Sequence, residues 1–440
     1  METPSQGLPR HWKLIACMLA MMAVANVQYA WTKFTGPLMD SMHSNLDTIQ
    51  WAFFFFVITQ TWLLPVYGVL IERYGPRLLV SLGGILVALG WVGSGMATTL
   101  PALYVSYGAA GIGVGAVYGA CIGLAIKWFP DRRGLCVGLV AGSYGFGTAL
   151  TILPISHMIE TSGYQHAFIV WGIIQGLVVL LAAQILSAPG KGWTPPDWEQ
   201  KKARVQSKVQ QSTRDYTPPE MLVTTSFYVM YLMMTIVAAS GLMATAQLSP
   251  IAKSYKIDNY VLFSGITLLN FTLVTNGILN GGTRPLFGWI SDQIGRYETM
   301  FIAFALEGLA IAGLGLVGSR PVWFVVMSGM IFFAWGEIYS LFPAAIADVF
   351  GSKHATTNFS FLYTSKGVAS AFAGPAAAKL TQVSNGSWRP VFWVAAAGNL
   401  IAALLAIVWL KPLISRLLSR QSAPAISPAP VPLDTVPKTG

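Results

Sequence analysis

Charge is what this 440-residue sequence has least of: 10% of its residues are Asp, Glu, Lys or Arg, while 54% are hydrophobic. A soluble domain carries about a quarter charged residues, so composition excludes a soluble enzyme or a nucleic-acid-binding domain. Residues for metal or redox chemistry are scarce too. Cys17, Cys121 and Cys136 lie in apolar stretches and the five histidines lack ligand spacing, so neither a zinc site nor a disulfide framework is predicted and no metal or cofactor is expected. The glycine run Gly111, Gly113, Gly115 continues through Gly119 and Gly123 inside an apolar block, which suits helix packing and not a dinucleotide loop. The first block, Leu14 to about Pro37, follows Arg10, His11 and Lys13. It is too long for a signal peptide and has no small-residue cleavage site.

What is there instead is apolar blocks of about twenty residues, the length at which an α-helix crosses a hydrocarbon core of about 30 Å. They predict an all-α membrane protein with twelve transmembrane helices, near 14–37, 50–71, 78–98, 102–127, 135–158, 167–187, 222–250, 260–290, 299–318, 321–348, 356–380 and 389–411. The expected organisation is an N-terminus over 1–13, a six-helix half over 14–187, a central loop over 188–221, a second half over 222–411 and a disordered tail over 412–440. Lys and Arg set the orientation. Arg10, Lys13, Arg73, Arg77, Lys127, Arg132, Arg133, six cations of the central loop, Arg296, Lys353, Lys411, Arg416, Arg420 and Lys438 fall on one side; Lys253, Lys256, Arg320, Lys379 and Arg389 fall on the other. The richer side is cytoplasmic, which puts both termini there. This asymmetry explains most of the net charge of +10 without a nucleic-acid partner.

The loop after the second helix carries Gly68, Glu72, Arg73, Gly75 and Arg77, and the loop after the eighth carries Gly288, Asp292, Gly295 and Arg296, at an offset of 220 residues. Phe129 to Gly134 and Phe350 to Ala355 repeat at nearly the same offset, which implies duplicated halves. Gly68 and Gly288 are expected to let helices pack closely, and the acids to pair with an Arg within the half. This acidic, basic and glycine pattern resembles the signature loop of the major facilitator superfamily. The resemblance implies two pseudo-symmetric six-helix halves rocking about a central site, with these loop residues in conformational gating.

Ionisable side chains at mid-membrane depth cost about 2.5–3.5 kcal/mol on insertion scales. Arg284 and Lys366 are the clearest cases, and two cations at one depth call for an anion. The alternative is a structural pair with an acid, Glu337 or, less well placed, Glu307. Gln28, Tyr29, Trp31, Tyr118, Tyr144, Trp335 and Tyr339 accompany the cations as a candidate aromatic and amide lining, against a bland reading as packing or interfacial residues.

The runs Asn280 to Asp292, Trp335 to Pro343, Tyr363 to Gly367 and Gln28 to Thr32 resemble the bacterial oxalate:formate antiporter family. That resemblance implies exchange of oxalate for formate in the bacterial inner membrane. Arg284 and Lys366 would hold the carboxylates, Tyr29, Tyr118, Tyr144, Trp335 and Tyr339 would form a cage, and Gln28 would make a polar contact. A functional monomer is expected, with small carboxylate anions and the lipid bilayer as its partners. Lys33 departs from the family pattern and is similar to a first-helix Lys of proton-coupled monocarboxylate transporters, although it can also snorkel from its helix end. Those carriers have an Asp where this chain has Asn280. A monocarboxylate carrier and a non-transporting carboxylate sensor therefore stand as alternatives.

Overall fold

A lipid-exposed chain must close its backbone hydrogen bonds internally, and the apolar blocks do so as helices. The computed structural model describes residues 8–190, 193–195, 212, 214–263, 265–351 and 353–422. The helices are α1 (Arg10–Val24), α2 (Asn26–Tyr29), α3 (Trp31–Met42), α4 (Leu46–Trp62), α5 (Leu64–Tyr74), α6 (Pro76–Met96), α7 (Leu100–Trp128), α8 (Arg133–Ser162) and α9 (Tyr164–Ile185). After the central stretch come α10 (Pro218–Leu222), α11 (Thr225–Ser254), α12 (Leu268–Ile294), α13 (Arg296–Val317), α14 (Pro321–Trp335), α15 (Ile338–Phe350), α16 (Ala355–Ala371), α17 (Ala377–Val383), α18 (Arg389–Leu405) and α19 (Lys411–Ser422).

Among the described residues, nine helices are long and apolar enough to cross a membrane, and α4 with the start of α5 makes a tenth if their 43° bend is one broken span. The two expected spans that fall short of this measure, near 260–290 and 356–380, are the ones that carry Arg284 and Lys366. Polar side chains such as Asn270, Asn276, Asn280 and Ser365 are buried there; they lower the apolarity of the helix because they face protein and not lipid.

Local chemistry breaks several helices. The first block is interrupted at Ala25 and Ala30, and α5 starts with Pro65 in its first turn, where a missing N–H costs least. The tenth block divides between Trp335 and Ile338, at Gly336 and Glu337. Two boundaries differ from expectation. Residues 260–267 include a small hairpin, β1 (Val261–Phe263) paired with β2 (Ile266–Thr267), because Gly265 takes a positive φ of 76° and turns the chain before α12 begins. At the C-terminal end the chain remains helical through Ser422, with Ile414 and Leu418 buried, so the disordered tail expected from 412 does not begin there; residues 423–440 lie outside the described residues. In the central stretch the N–H of Tyr216 donates to the Phe350 carbonyl at 2.8 Å, and Asn358 donates to the Tyr216 carbonyl at 3.0 Å. Thr217 and Glu220 form a capping box on α10. The Glu220 carboxyl is held down to about 2 by the Thr217 backbone N–H, then the Thr217 hydroxyl and Arg214, so the cap persists at any physiological pH.

Glycine permits the closest helix approaches, but not at the expected positions. A Cβ on Gly68 or Gly288 would meet nothing within 4 Å, which corrects the packing role expected for both. The glycines those loops require are Gly75 and Gly295, at φ of 80° and 108° between consecutive helices, where a side chain would be strained. Tight packing is found between α8 and α12. There a Cβ on Gly142 or Gly281 would lie 2.7 Å from the other's carbonyl oxygen, and one on Gly145 would lie 2.6 Å from Asn280 Oδ1. This seam joins the first and second sets of helices. Gly281→Ala is expected to cost about 1–3 kcal/mol through overpacking, seen as a lower melting temperature of the purified protein in detergent. Gly282→Ala, with nothing within 4 Å, should melt at or slightly above the parent.

Candidate functional site

The α8–α12 seam sets the position of Arg284. With the backbones in contact, its guanidinium crosses to α8 and donates to the Ala141 carbonyl, while its second terminal nitrogen donates to Asn280 Oδ1 at 2.9 Å, one turn back on α12. Lys366 enters from α16. Its ammonium donates to Gln28 Oε1 at 2.9 Å and Gln60 Oε1 at 3.1 Å, and lies 3.4 Å from the Tyr363 hydroxyl. Both cations are 1% exposed. Tyr339 meets both, its ring centre 4.6 Å from Arg284 Cζ and 5.6 Å from Lys366 Nζ, so the charges stand no more than about 10 Å apart. At that separation and an effective dielectric of ~20, two unit charges repel by roughly 2 kcal/mol. Contact with the ring face offsets part of this, at about 0.5–2 kcal/mol per cation.

No ion pair among the described residues involves Arg284, Lys366, Glu307 or Glu337. The structural-pair alternative therefore fails: both acids are fully buried, but neither lies within 4 Å of a site cation. Around the cations the rings form a continuous lining. Tyr29 packs on Tyr144 at 5.6 Å, Tyr144 on Tyr118 at 5.8 Å, Tyr118 stacks on Tyr363 at 5.5 Å, Tyr363 meets Tyr339 at 6.0 Å and Tyr339 meets Trp335 at 5.5 Å. Trp335 is seated by Gly241, where a Cβ would lie 2.2 Å from its indole.

The structure brings Gln28, Tyr29, Tyr118, Tyr144, Arg284, Trp335, Tyr339 and Lys366 together. Trp31 stands apart: its indole N–H donates to Gln50 and its ring packs 4.5 Å from Tyr107. Lys33 does not snorkel outward; it donates to Asn270 Oδ1 of α12 at 3.0 Å and lies 3.9 Å from Glu160. Gln60 and Tyr363 were not anticipated as site residues. A lone amide in the run Phe53 to Trp62 was a signal for the first, and the three-residue spacing to Lys366, which places both on one helix face, a signal for the second. In the repeated loops, Arg296 pairs with Asp292 at 2.6 Å and Asp348 at 2.9 Å. In the first set the Arg73 guanidinium lies 5.2 Å from the Tyr74 ring, and the Glu72 side chain lies outside what the structure describes.

Five buried donors here have no partner among the described residues: Gln28 Nε2, Asn280 Nδ2, Arg284 Nε, Trp335 Nε1 and the Tyr339 hydroxyl. An unpaired buried polar group costs about 1–3 kcal/mol. A lining of cations and unsatisfied donors is suited to a ligand that only accepts hydrogen bonds, which is the character of a carboxylate. Gln60 accepts from Lys366 and donates to the Tyr144 hydroxyl at 3.1 Å. Gln60→Leu should therefore weaken binding of a carboxylate ligand by about 1–2 kcal/mol, roughly tenfold, measured by ligand-dependent thermal shift or calorimetry on purified protein.

Comparison with known proteins agrees with this architecture. The Major Facilitator Superfamily family model matches residues 14–336 and 265–435. The oxalate:formate antiporter of Oxalobacter formigenes is 34% identical over 399 residues, 90% of this chain and 90% of the relative. An uncharacterized transporter of Escherichia coli, YhjX, is 25% identical over 84% of this chain and 88% of its own. Human monocarboxylate transporter 11 is 26% identical over 59% of this chain and 52% of its own. The chain is thus a multi-pass membrane transporter that belongs to the Major Facilitator Superfamily and groups there with the bacterial oxalate:formate antiporter family.

Proposed function

We propose that this transporter exchanges oxalate for formate across the bacterial inner membrane by alternating access. Twelve helices in two halves, 14–187 and 222–411, would rock about the Arg284–Lys366 site as a monomer with both termini cytoplasmic. The carrying observation is the pair of buried cations without a carboxylate partner among the described residues, with five unpaired donors on Arg284 and the neighbouring side chains. A dicarboxylate with directly joined carboxyl carbons has its far oxygens about 3–4 Å apart and, with charge-assisted bonds of about 2.8 Å at each end, spans about 9 Å between cations. That fits within the upper bound of about 10 Å set by the Tyr339 distances.

Direct contacts flank the site, as a closed carrier requires: Lys33 to Asn270, Gln50 to Gln247 at 3.0 Å, and the Trp62 indole to the Thr364 carbonyl at 3.2 Å. The ion pairs of Arg296 fit the gating role suggested for the loops through Gly68, Glu72, Arg73 and Arg77 and through Gly288, Asp292 and Arg296. Relatives support the same reading, since the Oxalobacter protein is named for oxalate and formate, while likeness to a monocarboxylate transporter covers less of the chain. Asn280 contributes to charge selectivity: a neutral amide at 2.9 Å from Arg284 orients the guanidinium without cancelling its charge.

Counterflow in proteoliposomes tests the proposal. Oxalate-loaded vesicles should take up labelled oxalate and formate, with succinate excluded by length. Entry of lactate with protons but not oxalate would favour the monocarboxylate reading, and binding without flux would favour a sensor. Arg284→Gln and Lys366→Gln should each reduce oxalate exchange by at least about thirtyfold, since truncating one member of a buried charged contact costs about 2–5 kcal/mol or more, with the protein still inserted. Near-normal exchange in either variant removes that residue from the mechanism.

A further inference from the structure

Two buried acids take no part in the site as described. Glu307 on α13 and Glu337 at the break between α14 and α15 are each 0% exposed. Neither oxygen of Glu337 has a partner among the described residues, and Glu307 Oε2 has none. An ionised carboxylate cannot be held in a low-dielectric interior without a cation or several donors. The groups facing Glu337 offer none. Glu307 is the ionisable neighbour that acts on its charge, α11 presents Ser240 and α18 presents Asn399 next to Glu307, and Arg284 on α12 and Lys366 on α16 are not paired with it. Tyr339 and Tyr363 turn to the cations instead.

The hydrogen bonds around Ser240 favour a proton on Glu307. Its hydroxyl lies 2.8 Å from the Val237 carbonyl and 2.8 Å from Glu307 Oε1, and it accepts from Asn399 Nδ2 at 2.7 Å. A hydroxyl has one hydrogen and two lone pairs. Ser240 therefore cannot give a full hydrogen bond to both Val237 and Glu307, whereas a protonated Glu307 that donates to Ser240 leaves all three contacts satisfied. This acid cluster adjoins the carboxylate site through the backbone: Ser240 precedes Gly241, on which Trp335 is seated, and Glu337 lies between Trp335 and Tyr339. Gly336 packs against α12, where a Cβ would lie 2.3 Å from Thr283, so movement of α12 against α14 must act on the Gly336–Glu337 break.

We propose that Glu307 and Glu337 form a proton-binding site. Both are carboxylic acids in the closed carrier, and Glu337 loses its proton to water when the helix break opens, so that carboxylate flux depends on pH. This rests on the transport reading above. The sign follows from charge: a Glu337 carboxylate beside the site lowers its net positive charge and opposes anion binding, so the protonated form is the competent one.

Infrared spectroscopy of the reconstituted protein at neutral pH tests the acid pair without any substrate. A carboxylic-acid carbonyl band is expected, reduced in Glu337→Gln and in Glu307→Gln and shifted in Ser240→Ala; a spectrum with no such band sensitive to these substitutions overturns the proposal. Oxalate counterflow then tests the coupling. The parent should lose exchange several-fold from neutral to alkaline pH, while Glu337→Gln, fixed in the neutral form, should hold its rate. An unchanged pH profile in that variant also overturns the proposal. If no carboxylate is moved by the parent at any pH, the transport reading fails, while the infrared arm still decides the proton site.

Discussion

Burial of two like charges without a carboxylate partner is the constraint on which the centre of this transporter depends. Arg284 and Lys366 repel each other and have given up water, so the surrounding protein must supply acceptors without supplying anions. It does so with the Ala141 carbonyl, the amide oxygens of Asn280, Gln28 and Gln60, and the face of Tyr339. Each of these lowers the cost of the charges without cancelling them. What remains is a net positive cluster with unpaired donors on and around it, and that residual imbalance is what an anion can satisfy.

The helices are shaped to make this arrangement possible. The glycine seam between α8 and α12 lets Arg284 reach across to the first set of helices, and Gly241 leaves room for the Trp335 indole. Breaks at Ala25, Ala30, Leu63 and Gly336 to Glu337 fall on helices that carry site residues or their neighbours. Regular helices would pack well enough for stability. Interrupted ones can change their angle at the break, a freedom that a continuous helix lacks.

Much of the candidate site was legible because charge is rare in an apolar sequence: Arg284 and Lys366 stood out against their helices, and aromatic and amide residues inside other apolar blocks, among them Trp335 and Tyr339 four apart, marked the lining. Gln60 was hidden in a run of phenylalanines, and its importance comes from α4 lying against α16, a contact between residues some three hundred positions apart. Glu337 shows the reverse. Its position beside Trp335 and Tyr339 suggested a partner for the cations, yet neither of its oxygens meets a cation or a donor among the described residues. Likewise Gly68 and Gly288 had the repeat but no close neighbour, while Gly75 and Gly295 supply the backbone freedom the loops need.

The sequence by itself determined the class, the repeated loops and the identity of the two deep cations, because each follows from composition or spacing along one chain. Only the tertiary structure decided which acceptors hold those cations, that no acid among the described residues pairs with them, that Lys33 is tied to Asn270, and that Glu307 and Glu337 are enclosed beside the site without a cation. Those outcomes depend on which faces of distant helices meet, and a helix face acquires its partner only through packing.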